Sequence, residues 1–144
     1  MTSLLALTSS RPIRSLAPDE ILLVQGEGGG DLFVLESGRL VVERDGVGIA
    51  TISTPNTLIG EMSVLLGTRN SATVRAETAT RLRVIRDARA ILESDPALAL
   101  QVAALVAGRL DATSALLVSL SQTEKTAEPG LFKRILSALH VSAE

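Results

Sequence analysis

From Arg11 to Ile85 the apolar residues come in short runs, each closed by a turn signal. Arg11 to Leu16 alternates and ends near Pro18-Asp19-Glu20. Ile21 to Gln25 is a β-branched and leucine-rich run broken by Gly26 to Gly30. Leu32 to Leu35 stops at Glu36-Ser37-Gly38, and Arg39 to Arg44 closes on Asp45-Gly46, a hairpin signal that sends Ile49 to Ser53 back along it. Pro55-Asn56 marks a further turn, and Ala72 to Ala76 and Arg81 to Ile85 complete the series. These short strands recur at a regular spacing, with glycine-marked turns between them. They predict a mainly β fold with C-terminal α, an antiparallel β jelly roll of the double-stranded β-helix kind.

After Ile85 the apolar period changes to that of a helix. Asp87 to Glu93 predicts a short helix, and Asp95-Pro96 supplies an N-cap and a first-turn proline for a longer one over about 97–120. On that helix Leu98, Val102, Leu105, Val106, Leu110, Leu116, Leu117 and Leu120 form one wide stripe. The stripe packs along its own barrel or pairs with its copy in a second chain. Pairing is favoured, because a helix of this length outruns a small barrel. The chain thus divides into an N-terminal arm (1–10), a domain over 11–121 that includes the long helix, and a linker with a short amphipathic C-terminal helix (122–144). That last helix carries Lys133, Arg134 and His140.

Composition narrows the function. A length of 144 residues suits one core without staples, and a net charge of −2 gives no footprint for nucleic acid. The absence of cysteine removes thiol chemistry, disulfides and cysteine-based zinc sites, and one histidine is too few for a histidine-built metal centre. Neither a catalytic constellation nor a metal site is expected. Leu4 to Leu7 is too short for a signal or a span, so the reading is cytoplasmic, with no membrane partner.

Residues 58–76 hold the chemistry. Leu58 and Ile59 run into Gly60, Glu61 follows, a short apolar turn reaches Leu66, and Gly67 breaks it before a polar cluster. Gly60 permits close backbone approach, and a short helix starting at Glu61 would turn unsatisfied N–H groups toward an anion. Ser71 can donate to such a group and Arg69 can neutralise it, while Glu61 suits a neighbouring sugar hydroxyl. A plain strand, turn and strand with Glu61 solvated fits the same residues.

The Gly-Glu turn, the apolar helical turn, the glycine, the Ser71-Ala72-Thr73-Val74 strand start and the long helix after a roll of short strands together resemble the cyclic nucleotide-binding domain. That family includes catabolite activator proteins, regulatory subunits of kinases and nucleotide-gated channels. Gln25-Gly26-Glu27 and Leu32 to Gly38 resemble its early strands and turns. The resemblance implies that Gly60, Met62 and Ser63 hold the cyclic phosphate, that Glu61 takes the ribose 2′-hydroxyl, and that Ser71, followed by Ala72, donates to the phosphate. The family usually has Pro-Arg before that serine, whereas this chain has Arg69-Asn70. A shift of one residue turns a side chain to the other face. Losing the charge-assisted pair is worth about 1.5–3 kcal/mol. Arg109, Thr113 and Ser114 on the long helix resemble the positions that face the nucleotide and its purine in the activators. Snorkelling by Arg109 and hydroxyl bonds back to the helix are the plain alternative.

The resemblance implies a non-enzymatic sensor whose ligand is cyclic AMP or cyclic GMP, with no cofactor. A homodimer through the long helix and a protein partner are expected. Residues 122–144 are too few for a winged helix-turn-helix, so direct DNA binding is not expected. The alternative is a degenerate domain that keeps the fold and the dimer helix as an interaction module.

Overall fold

The computed structural model describes residues 3–123 together with Arg134 and Ser137. The linker and the amphipathic helix expected over 122–144, His140 included, otherwise lie outside the described residues. The chain divides into two compact units, 1–102 and 103–144.

The first unit is the roll. Its strands are β1 (Ile13–Leu16), β2 (Ile21–Leu23), β3 (Leu32–Ser37), β4 (Leu40–Arg44), β5 (Val47–Ile52), β6 (Leu58–Ile59), β7 (Thr73–Ala76) and β8 (Thr80–Ile85). They form two four-stranded sheets, ordered β1-β8-β3-β6 and β2-β7-β4-β5, with every pairing antiparallel. The antiparallel jelly roll expected from the strand spacing is the fold observed. Asp45 and Gly46 both take positive φ (52° and 76°), the geometry of the tight hairpin turn that their sequence predicts.

Phe33, Leu35, Leu40, Val74, Leu82 and Val84 are among the side chains that fill the space between the sheets. Leu32 and Val34 on the opposite face of β3 are fully buried as well. A strand covered on both faces reads as a continuous apolar run, which is why Leu32 to Leu35 does not alternate. The cover includes α1 (Leu4–Leu7), which packs on β3 with Leu4 entirely buried. Residues 4–7 are therefore a docked helical turn and not part of a loose arm as expected for 1–10. Ser3 caps it through Oγ and the Ala6 N–H at 3.2 Å, and Leu5 N–H donates to Asn56 Oδ1 at 2.8 Å. Arg83 fixes the exit, donating Nη1 to the carbonyls of Ser9 (3.1 Å) and Arg11 (3.2 Å) while pairing with Glu36.

The described residues hold three further helices, α2 (Glu61–Leu66), α3 (Ala88–Ser94) and α4 (Pro96–Thr123). Asp95 Oδ1 accepts the Leu98 N–H at 3.1 Å, so the Asp95-Pro96 pair opens α4 as an N-cap and first-turn proline should. In the first unit Leu98 and Val102 are buried. In the second unit α4 shows Leu110, Leu116, Val118 and Leu120 largely to the outside, and Leu105, Val106 and Leu117 half-buried. By length and composition Pro96–Gln122 could also cross a membrane, with a mean hydropathy of 1.5. The expectation of no membrane partner rests on the N-terminal run Leu4 to Leu7 and takes no account of this helix.

Candidate ligand-binding cassette

The segment from Gly60 to Ala72 joins β6 to β7. Gly60 has φ of 89°, and a Cβ on it would stand 2.8 Å from the Asp31 carbonyl oxygen. Only glycine takes that turn and that contact without strain. α2 then runs over the predicted Glu61 to Leu66. Glu61 at its head is half-buried and Met62 is 52% exposed. Ser63 is buried and its hydroxyl donates to the Gly60 carbonyl at 3.1 Å. Gly67, at φ of 66°, ends the helix in the left-handed conformation usual for that position.

The next residues zip onto the end of β2. Asn70 donates its N–H to the Glu27 carbonyl and accepts the Gly26 N–H, both at 2.9 Å, and its Nδ2 donates to the Val24 carbonyl at 3.2 Å. Thr73 Oγ1 accepts the Gln25 N–H at 3.0 Å. Asn70 is thereby only 7% exposed. Arg69 points to the rim, where Nη1 donates to the Gly26 carbonyl at 3.1 Å. The single-residue displacement of the arginine does separate the two side chains, one inward and one outward. Ser71 and Ala72 are half-buried just before β7.

Opposite them lies the loop from Gly26 to Asp31. A Cβ on Gly29 would meet Ser63 Oγ at 2.6 Å and Asn70 Oδ1 at 2.7 Å, so the loop can close on the cassette only with glycine there. The far end of the loop holds α3. Asp31 Oδ1 accepts the Asp87 N–H at 3.1 Å, and the Gly30 carbonyl accepts the Ala88 N–H at 2.8 Å. A cleft of about 400 Å³ opens along this loop, lined by Arg14, residues 21–24, residues 27–31, Phe33 and Asn70. Of the candidate site residues named from the sequence, Asn70 alone lines it. Gly60 stands one layer behind, its neighbours Leu23, Asp31 and Phe33 forming part of the wall.

The structure thus gathers Gly60, Ser63 and Asn70 around a glycine loop that sequence reasoning treated as a simple break. The run Gly28-Gly29-Gly30-Asp31 was the available signal. Arg14, on β1, had no local signal at all. Arg109 and Thr113 are exposed and Ser114 is half-buried, all within the second unit. On β7, Arg75 is held above the usual guanidinium range, first by its hydrogen bond to Glu43, with Asp19 adding to the effect. Among the described residues no group of three or more His, Asp or Glu side chains is placed to hold a metal ion.

The cyclic nucleotide-binding domain pattern matches residues 13–94. Among solved structures, the chain is similar to the catabolite activator protein of Thermus thermophilus at 29% identity and a TM-score of 0.65. That match covers 79% of this chain and 56% of the other, so the chain spans little more than half of that relative. The N-terminal domain of a transcriptional regulator from Streptomyces coelicolor A3(2) is 30% identical with a TM-score of 0.56, covering 74% and 81% of the two chains. A cyclic nucleotide-binding domain from Methylobacillus flagellatus KT has the same fold, with a TM-score of 0.66 over 85% and 73% at 22% identity. No curated protein matches. On the strength of the matched strands, cassette and short helix, this chain belongs to the cyclic nucleotide-binding domain family.

Proposed function

We propose that the chain is a non-enzymatic sensor that takes a ligand of the cyclic AMP or cyclic GMP kind at the Gly60 to Ala72 cassette and reports its presence to a protein partner. The supporting observation is the glycine-only turn at Gly60, braced on Asp31, with Glu61 heading α2 inside the segment that matches the family. Glu61 accepts from a ribose hydroxyl, and the backbone beside Gly60 and Ser71 meets the anionic edge. Arg109, Thr113 and Ser114 are assigned to the base, α4 to pairing with a second copy of the chain, and the place of action to the cytoplasm without direct contact to DNA.

One observation favours a second reading, in which the fold is kept and cyclic phosphate affinity is lost. Asn70 stands where the family places its arginine, and its side chain is buried against the β2 end. Calorimetric titration with cyclic AMP, cyclic GMP and their nucleosides tests both readings. Binding by cyclic AMP or cyclic GMP, abolished in Glu61→Ala while the circular dichroism is unchanged, supports the sensor. Binding by none leaves the interaction module.

A further inference from the structure

We infer that the cleft along the Gly26 to Asp31 loop is a second ligand site, suited to a small zwitterion with an apolar body, a free amino acid or a short peptide. The site stands on the cleft's own residues and does not depend on what the cassette binds.

The cleft lies where both sheets end. β1 is the outermost strand of one sheet and β2 of the other, and both line it. Leu22 and Phe33 give it buried apolar surface, while Ile21 and Val24 remain 46% and 37% exposed along β2. Its volume of about 400 Å³ falls within the roughly 300–1,000 Å³ usual for small-molecule sites. Two opposite charges share this apolar trough, Arg14 from β1 and Glu27 from the loop. Among the described residues neither side chain makes a hydrogen bond or an ion pair. The second acid, Asp31, is already tied through Oδ1 to the Asp87 N–H at 3.1 Å.

Opposite charges that line one cleft without pairing leave each other to the solvent, and a guest that carries both signs satisfies both at once. A carboxylate suits the planar fork of Arg14, an ammonium suits Glu27, and an aliphatic side chain covers Ile21 and Val24. A simple anion would meet the two carboxylates as well as Arg14, and a simple cation would meet Arg14. The pattern therefore favours a zwitterion over an ion of either sign.

The test is a nuclear magnetic resonance titration of the isotope-labelled chain with L-leucine and with leucyl-leucine, each beside its N-acetyl and C-amide forms. The expected result is a saturable shift of amides over 21–31 with at least one intact zwitterion, and the tighter of the two names the source. Blocking either charged end should weaken binding at least about fivefold. Arg14 and Glu27 are exposed, so their substitution spares the fold. Arg14→Gln should weaken the intact zwitterion at least about fivefold and leave its C-amide unchanged, and Glu27→Gln should likewise leave the N-acetyl form unchanged. No saturable shift with either zwitterion at about 10 mM overturns the inference. So do blocked forms that bind as tightly as the intact molecules, or saturable shifts confined to amides outside 21–31. Cyclic nucleotides take no part in this titration, so its failure leaves the cassette reading standing, and failure of the cassette titration leaves the cleft standing.

Discussion

Gly29 approaches Asn70 so closely that a methyl group on its Cα would stand 2.7 Å from the Asn70 side-chain oxygen. The same methyl would stand 2.6 Å from the Ser63 hydroxyl, itself engaged with the Gly60 carbonyl. Neither neighbour is a long, flexible side chain able to yield at small cost.

Gly29→Ala is therefore expected to destabilise the domain by about 1–3 kcal/mol through overpacking. Urea unfolding followed by circular dichroism would show a lower midpoint at constant slope. A midpoint within error of the natural chain would mean that the loop opens freely and is not closed on the cassette.

Gly60→Ala should cost more, about 2–4 kcal/mol, because a left-handed φ and a backbone oxygen act together. The Asp31 carbonyl belongs to the main chain and cannot rotate away alone. If the same denaturation assay ranked Gly60→Ala as milder than Gly29→Ala, the bracing of the turn on Asp31 would be wrong.

Leu4→Ala tests whether the N-terminal turn belongs to the core. Leu4 is entirely buried, so truncation should remove about 2–4 kcal/mol. A loss below about 0.5 kcal/mol, the scale of ordinary surface changes, would mean that α1 does not stay docked in solution.

Asp95→Ala removes the acceptor of the Leu98 N–H and should cost about 1 kcal/mol. Asp95→Asn keeps an acceptor in place and should recover most of that loss. Equal destabilisation by both substitutions would argue that the carboxylate acts by its charge and not as a cap.

The proposed pairing of α4 is tested by sedimentation of the natural chain beside a Leu110→Glu, Leu116→Glu double variant. The natural chain is expected to sediment as a dimer and the variant as a monomer, since both leucines are about half exposed or more along the helix. A natural chain that remains monomeric at high concentration removes the pairing.

How much of this was legible in the residues depends on how local each cause is. The limits of α2, the hairpin at Asp45-Gly46 and the Asp95-Pro96 start of α4 are written in neighbouring side chains, and they were read with little error. Strand ends moved by one or two residues: Ile49 to Ser53 became Val47–Ile52, for example, because hydrogen-bonding partners and not composition decide where a ladder stops. The role of Asn70 was not legible. Its partner, the Val24 carbonyl, lies 46 residues away, and nothing near Asn70 announces it. The glycine run was opaque for the opposite reason, since a residue without a side chain leaves its meaning in what it allows to come close. The docking of α1 depends likewise on Asn56, 51 residues from the Leu5 N–H that it receives.

The loop that closes on the cassette also holds the first turn of α3, through the Gly30 carbonyl and the Asp31 carboxylate. Gly26 to Asp31 is therefore a shared boundary condition for two elements that lie far apart in sequence. Were an occupant of the cassette to displace that loop, its coupling to α3 would be reciprocal, because linkage between two equilibria is symmetric. An interaction that pulls on α3 would thus alter affinity at the cassette by the same factor with which an occupant alters the hold on α3. A change in that loop is therefore felt at both the cassette and the start of α3.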